Sequence, residues 1–185
     1  MKHVMLDIET LGTTPGSVIF AIGAVGFDTD WPLAEIGNYE AEFNRRIFIL
    51  DSIQLGFKID QSTVKFWAVQ PWRKEYEDAS SFSSDSVHTS LIAFKNWYQR
   101  FAKGDKALVW GNGVTFDNAL LAHYYEALDI ELPWTFREDM CFRTLKNLFL
   151  ECKPEVVNET PHNSLSDARY QAHWLQKILI KIKGV

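Results

Sequence analysis

The stretch Val4-Met5-Leu6-Asp7-Ile8-Glu9-Thr10 places two acids in an otherwise apolar run. Its first three residues are typical of a strand that is buried on both faces. Because side chains two residues apart on a strand point to the same face, roughly 7 Å apart, Asp7 and Glu9 are expected to project together. Neighbouring carboxylates repel each other unless a cation neutralises them, and oxygen ligands suit Mg²⁺ or Mn²⁺. The stretch therefore predicts either a divalent-metal site or, more simply, the end of a strand meeting solvent.

The length and composition are those of a single globular domain over residues 1–185, with 46% hydrophobic and 23% charged residues. The net charge of −5 argues against broad, sequence-independent binding of duplex nucleic acid, which depends on many lysine and arginine contacts to phosphates. This net charge is compatible with binding of a few nucleotides through metal ions and aromatic stacking.

Cysteine usage and hydropathy bear on the cellular setting. Cys141 and Cys152 do not have the spacing of a CxxC motif, so a reducing environment with two buried thiols is the simplest interpretation. The first residues lack the apolar segment and cleavage site of a signal peptide. No stretch is long and apolar enough to span a membrane. We therefore expect a cytoplasmic protein without a membrane partner.

Strand and helix patterns follow one another along the chain. Residues 18–27 and 39–50 are predicted as the second and third strands, and the short loops between the three strands favour an antiparallel meander. Residues 107–110 predict a short buried strand, which the preceding helix allows to lie parallel to the first. Helices are predicted by apolar spacing over residues 61–70, 72–78, 87–102, 116–128, 140–150 and 167–183. This layout predicts an α/β or α+β fold with a mixed sheet.

Two further acids stand at predicted helix starts. Asp117 follows Gly111-Asn112-Gly113-Val114-Thr115-Phe116, directly after the short strand. Asp167 opens the last helix, five residues after His162. Each acid alone is most simply explained by its favourable interaction with the helix dipole, and the histidine alone by a surface loop. The pairing of His162 with Asp167 favours a functional role for both.

Together these residues form an ordered set: D-x-E on the first strand, N-x-x-x-F-D after a later strand, and H-x-x-x-x-D-A at the last helix. The set resembles the DEDDh 3′→5′ exonuclease superfamily, which includes the proofreading epsilon subunit, RNase T and oligoribonuclease. The helix pattern over residues 62–70 resembles a branch of small bacterial and phage 3′→5′ exonucleases. Many members have His-Asn where this chain has Gly111-Asn112, a departure that concerns the subfamily more than the activity.

The resemblance implies an RNase H-like fold, with a central mixed five-stranded sheet flanked by helices. It also implies hydrolysis of phosphodiester bonds from a 3′ end, with release of 5′-nucleoside monophosphates. Two Mg²⁺ or Mn²⁺ ions, about 3.5–4 Å apart, would stabilise the reacting phosphate and the leaving oxygen. By this resemblance Asp7 would bridge both ions, Glu9, Asp117 and Asp167 would complete their ligands, and His162 would accept the proton of the attacking water.

Residues that contact substrate are also expected from the resemblance. Thr10 and Leu11, directly after D-x-E, would lie against the terminal nucleotide, with the Leu11 side chain wedged against the last base. Phe66 or Trp67 would stack on a base, although core packing explains their helical spacing more simply. Asn112 is included among the substrate-side residues, but supporting and packing roles are simpler for it and for Phe116.

The same residues are compatible with three other functional interpretations. A haloacid dehalogenase-type phosphatase also opens with an acidic pair followed by threonine, but its late Gly-Asp-x-x-x-Asp motif is missing. A non-catalytic nucleic-acid-binding module would be expected to lose at least one of the five site residues. An RNase H-type endonuclease would not need His162. The preference for DNA or RNA, the preferred metal and the choice between monomer and homodimer stay undetermined, and a single-stranded 3′ end is the expected partner.

Overall fold

The sheet is mixed and has five strands. In this computed structural model, which describes residues 1–30, 41–71, 73–80, 84–155, 158 and 160–184, they are β1 (Lys2–Thr10), β2 (Ile19–Asp28), β3 (Glu42–Arg46), β4 (Leu108–Gly111) and β5 (Asp139–Cys141). The order across the sheet is β3-β2-β1-β4-β5. The first three strands pair antiparallel, whereas β4 runs parallel to β1, and β5 parallel to β4. The mixed sheet is thus as predicted.

Helices cover both faces of the sheet. They are α1 (Ile49–Gln54), α2 (Gln61–Val69), α3 (Lys74–Ala79), α4 (Val87–Ala102), α5 (Asp117–Ala127), α6 (Phe142–Leu148) and α7 (Ser164–Lys183), with a short 3₁₀ turn at Leu150–Cys152. Alternate residues of β1 serve two apolar cores: Val4, Leu6 and Ile8 pack with α4 and α5, whereas Met5 packs with α6 and α7. Because side chains alternate along a strand, Asp7 and Glu9 belong to the Met5 face, beneath α7.

Two predicted elements differ from the structure. The third strand, predicted over residues 39–50, spans Glu42–Arg46 and is followed by α1, while residues 39 and 40 lie outside the described part of the chain. Ile49 and Ser52 are buried with a helical spacing of three, which overrides the strand pattern there. The helix predicted over residues 140–150 begins as β5, because Met140 pairs with Trp110 and so extends the sheet.

Two glycines let helices approach the sheet closely. At Gly23, which pairs with Asp7, an added Cβ atom would lie 2.2 Å from the backbone carbon of Ser164 at the start of α7. At Gly111 an added Cβ would lie 2.4 Å from Oδ1 of Asn118 and 2.8 Å from Cβ of Asp117, both on α5. A larger residue would push the α7 backbone away at Gly23 and would displace the Asn118 and Asp117 side chains at Gly111. The two glycines thus bring the first turns of α5 and α7 against the strands that carry or adjoin the acids.

Two of the predictions about the cellular setting concern features that the structure describes. Cys141 and Cys152 are both free thiols, the first partly and the second fully buried. None of the helices in the described ranges offers an apolar segment of the length that a bilayer requires.

Candidate active site

Three of the predicted acids converge at the carboxyl end of β1. Asp7, Glu9 and Asp167 each offer a carboxylate oxygen, and these oxygens lie within 4.8 Å of one another. Two of the acids come from one face of β1, and the third comes from the first turn of α7, which Gly23 admits to the sheet. Clustered carboxylate oxygens suit hard divalent cations rather than soft metals.

Asp117 lies alongside this cluster. It is only 3% exposed, and its Oδ2 accepts a hydrogen bond of 3.0 Å from the Gly113 amide. Burial raises the pKa of this carboxyl to about 6, although the Gly113 and Ile8 backbone amides and the Arg143 guanidinium favour the charged form. The interaction with Ile8 places Asp117 beside the residue that separates Asp7 from Glu9. A buried acid next to other acids is costly without a cation, so the donor set as a whole fits a divalent metal.

The segment before α7 holds His162 and Asp167 together. The His162 backbone has φ of 60°, and its amide donates a hydrogen bond of 2.9 Å to Oδ2 of Asp167. Oδ1 of the same carboxylate accepts a hydrogen bond from the Asn158 side chain. The α7 amino terminus is capped by Asn163, whose Oδ1 accepts from the Ser166 amide at 3.0 Å. Burial raises the pKa of Asp167, while the contacts with His162 and Asn158 oppose that shift.

A cleft of about 310 Å³ opens beside the acids, and its walls include Glu9, Thr10, Phe116 and His162. It is also lined by two neighbouring aromatic residues of α2, Phe66 and Trp67. The imidazole of His162 meets their rings edge-on, with centroid separations of 5.3 Å to Phe66 and 5.8 Å to Trp67.

The two aromatic residues differ in exposure. Phe66 is 40% exposed, whereas Trp67 is 2% exposed and donates its indole N–H to the Thr10 carbonyl at 3.0 Å. Trp67 thus braces the strand end, and Phe66 offers a ring face to the cleft. Leu11 packs in the core at 2% exposure. The structure therefore does not bring the Leu11 side chain to the cleft as a wedge, because the chain turns inward after Thr10.

Asn112 lies at the β4 end rather than in the cleft, where its Oδ1 accepts a hydrogen bond of 2.7 Å from Nζ of Lys146. Lys146 was not singled out in the sequence, and neither was Gln171, whose Nε2 donates to Oδ1 of Asp7 at 2.8 Å. Gln171 follows Asp167 by four residues, one helical turn, so helical spacing could have identified it. Lys146 carries no such signal, because it meets the site only through the pairing of β5 with β4.

The sequence matches one protein-family model, described as the 3′-5′ exoribonuclease Rv2179c-like domain, over residues 2–179. No curated protein sequence matches the chain.

Several solved structures are similar in fold. Cell-death related nuclease 4 (CRN-4) matches with a TM-score of 0.61 and 12% identity, over 97% of this chain and 64% of that protein. The nuclease domain of 3′hExo, a DEDDh family member bound to rAMP, matches with a TM-score of 0.61 and 12% identity, over 97% and 92% of the two chains. The E. coli ExoI–ssDNA complex in its metal-free form matches with a TM-score of 0.55 and 14% identity, over 97% of this chain and 38% of that one.

The chain thus spans less than two thirds of CRN-4 and of ExoI. These likenesses confirm the RNase H-like fold that the sequence predicted.

Proposed function

This chain belongs to the family of the 3′-5′ exoribonuclease Rv2179c-like domain, and we propose that residues 1–185 form a single catalytic domain that hydrolyses single-stranded nucleic acid from its 3′ end. Membership of this family confirms the DEDDh resemblance found in the sequence. The proposed products are 5′-nucleoside monophosphates, released one at a time. The observation that carries the proposal is the convergence of Asp7, Glu9 and Asp167 within 4.8 Å, beside an open cleft lined by His162.

We propose that Asp7, Glu9, Asp117 and Asp167 hold two Mg²⁺ or Mn²⁺ ions. When bound, such ions stabilise the charge that develops on the phosphate and the leaving oxygen and make the attacking water more acidic. The four acids come from β1, α5 and α7, so their relative positions depend on the packing of these elements against the sheet. Gln171 fixes the orientation of Asp7 through its hydrogen bond of 2.8 Å.

His162 is proposed as the general base that accepts the proton of the attacking water. Histidine suits this role because its ordinary pKa lies near neutrality. Its backbone amide is bound to Asp167, and its ring contacts two aromatic residues of α2. These contacts hold the imidazole at the wall of the cleft, next to the acids, so little reorganisation is needed before proton transfer.

The terminal nucleotide is proposed to occupy the cleft. Phe66 would stack on its base, an interaction worth roughly 1–3 kcal/mol. Thr10 would contact the sugar from the cleft wall, where it neighbours Glu9. The family description supports RNA as a substrate, and single-stranded DNA is the alternative to compare, because the described contacts include no group committed to a 2′-hydroxyl. The free thiols support a reducing, cytoplasmic compartment.

Cleavage of labelled oligonucleotides tests this proposal. A 5′-labelled single-stranded RNA and its DNA counterpart are incubated with Mg²⁺, with Mn²⁺ and with a chelator. A metal-dependent ladder that shortens from the 3′ end is expected for the parent protein and is expected to disappear in Asp7→Ala. The matched control is Glu126→Ala, which removes an exposed acid of α5. The faster substrate identifies the preferred sugar.

Two outcomes would contradict the proposal. Cleavage of a circular single-stranded substrate would indicate an endonuclease, since an exonuclease needs an end. Retained binding without cleavage of either oligonucleotide would indicate a non-catalytic binding module. The oligomeric state, monomer or homodimer, is determined separately by light scattering of the same preparation.

A further inference from the structure

Two basic side chains, Arg143 and Lys146, lie at the same end of the parallel strands as the acids. Leu6 of β1 pairs with Gly111 of β4, and Gly111 pairs with Cys141 of β5, so these three residues form one row across the parallel strands. β4 and β5 end at this row, and β1 continues beyond it to the acids. Arg143 lies two residues beyond this row on α6, and Lys146 follows one helical turn later. The sheet thus brings α6 beside the acidic cluster from the β5 side.

Asn112 ties both basic residues to the loop that leads to Asp117. Its carbonyl accepts a hydrogen bond of 3.1 Å from the Arg143 amide, and its side-chain Oδ1 accepts one of 2.7 Å from Nζ of Lys146. The Arg143 guanidinium also lies over Gly113, where Nη2 would be 3.3 Å from an added Cβ atom. These contacts fix the positions from which the Arg143 and Lys146 side chains project from α6.

Neither cation is paired with a carboxylate among the described residues, although other basic side chains such as Arg169 and Lys181 are. Arg143 is exposed and Lys146 is half-buried. Both are close enough to the acids to interact with them electrostatically. Arg143 favours the charged form of Asp117. Burial and the neighbouring Arg143 lower the pKa of Lys146, and the charges of Asp117 and Asp7 oppose that shift. In a chain with a net charge of −5, two cations without a carboxylate partner beside an acidic site call for an explanation.

The simplest alternative is that these cations only neutralise the acids. In that case a direct ion pair would be expected, whereas Nζ of Lys146 donates to the neutral amide of Asn112. Arg143 and Lys146 also lie on a different side of the sheet from the cleft. Trp67 of the cleft packs on Phe20 of β2, with ring centroids 5.0 Å apart, whereas α6 follows β5, on the other side of β1. The acids therefore lie between an aromatic side and a basic side.

We propose that Arg143 and Lys146, positioned by Asn112, bind the substrate phosphate that lies one nucleotide to the 5′ side of the cleaved bond. This inference rests on the proposed exonuclease function. A strand with its terminal base in the cleft and its cleaved phosphate at the acids continues towards α6, where it presents its next negative charge. An arginine can grip phosphate oxygens with two parallel hydrogen bonds, and a lysine adds a point charge.

A comparison of two substrates tests this site. The 5′-labelled oligonucleotide carries the upstream phosphate, whereas the p-nitrophenyl ester of thymidine 5′-monophosphate has the cleaved phosphodiester but no phosphate beyond it. Arg143→Gln and Lys146→Gln are each expected to raise KM for the oligonucleotide roughly ten- to a hundredfold, the loss of one charged hydrogen-bonded contact. The loss of kcat/KM on the ester is expected to be at least tenfold smaller. The salt dependence of oligonucleotide binding should also become shallower, by about 0.7 in the logarithmic slope for each contact removed.

Matched controls are Arg137→Gln and Lys153→Gln, which remove exposed cations away from the acids. Arg143→Lys should recover part of the lost affinity, since it keeps the charge and loses the two-pronged geometry. Equal losses on both substrates would overturn the assignment and place the cations at the cleaved phosphate, and unchanged oligonucleotide kinetics in both variants would also overturn it. A parent protein inactive on both substrates would instead refute the exonuclease function itself. Thermal unfolding of each variant shows whether it is folded.

Discussion

The two ends of β1 hold buried ionisable groups in opposite ways. At the amino end, His3 is 2% exposed, stacks on Phe27 with 5.2 Å between ring centroids, and accepts a hydrogen bond of 3.0 Å at Nδ1 from the Trp110 indole. Burial lowers its pKa to about 4, with a smaller contribution of the same sign from the Met1 amino group. His3 is therefore uncharged at neutral pH, and its ring serves the core.

At the carboxyl end, the charge is concentrated instead. Asp7, Glu9 and Asp167 share one small volume, and Asp117 lies beside them with a pKa that burial raises to about 6. Burial thus disfavours the charged form at both ends of the strand, yet only the histidine gives up its charge at neutral pH. At the amino end, packing keeps the buried group uncharged. At the carboxyl end, the chain retains a cluster of acids that protein hydrogen bonds and Arg143 stabilise in part and that a bound cation would stabilise further.

Replacement of His162, which lies beside the acids at the carboxyl end of β1, should have the largest effect. His162→Ala is expected to lower kcat by about 10²–10⁴, because a positioned general base contributes a factor of that size. Metal binding should be largely retained, since the four acids are unchanged. The measurement is single-turnover cleavage of the labelled oligonucleotide, together with the metal concentration that gives half-maximal stabilisation against heat.

A second histidine provides the control for that variant. His88→Ala removes an exposed imidazole of α4 and should leave the cleavage rate as it is in the parent. Equal activity of His162→Ala and the parent would contradict the general-base role of His162. The site at the carboxyl end of β1 would then contribute metal ligands only. A loss of metal-induced stabilisation in His162→Ala would show instead that the histidine supports the ligands.

The amino end should show its effect in stability, not in activity. The pKa of His3 falls from an ordinary 6.5 to about 4 on folding, and each pKa unit corresponds to about 1.4 kcal/mol. The unfolded chain therefore binds more protons between these values, so the contribution of His3 is complete above pH 6.5 and is lost as the pH falls towards 4. The expected loss is about 3 kcal/mol, and below pH 4 it does not grow further.

Denaturant unfolding of the parent and of His3→Phe, from pH 7 to pH 4 in the presence of a chelator, measures this contribution. The parent should lose about 3 kcal/mol relative to the variant over that range. The difference between the two proteins is the useful quantity, because it cancels the opposite trend of Asp117, whose raised pKa costs stability as the pH rises. The charged groups that act on His3, namely the Met1 amino group, Asp28 and Lys183, are present in both proteins. Parallel curves would show that folding does not lower the pKa of His3.

The same contrast explains what the sequence could predict. Strand alternation correctly predicts that the D-x-E pair lies on one face of β1, because this is a local rule and the residues before and between the two acids, residues 4–6 and Ile8, are apolar. The sequence predicts a helix over residues 140–150 where β5 ends, since the three residues of β5 carry no pattern of their own and form a strand by pairing with β4. The left-handed backbone at His162, directly before the turn of α7 that packs against Gly23, is not among the features that the sequence predicts.

The smallest effect concerns the support of Asp7 from α7. Gln171→Leu removes the hydrogen bond of 2.8 Å to Oδ1 of Asp7, and loss of such an outer partner typically costs about 10–100-fold in metal affinity. The metal concentration for half-maximal cleavage should rise by that factor, while cleavage at saturating metal stays close to that of the parent. Gln176→Leu is the matched control, because Gln176 is buried on the same helix but donates to the carbonyl of Asp28, at the amino end of β1. It should lower stability and leave the metal midpoint unchanged. If both variants shifted the metal midpoint equally, the effect would come from a general loosening of α7, and the two ends of β1 would not be independent.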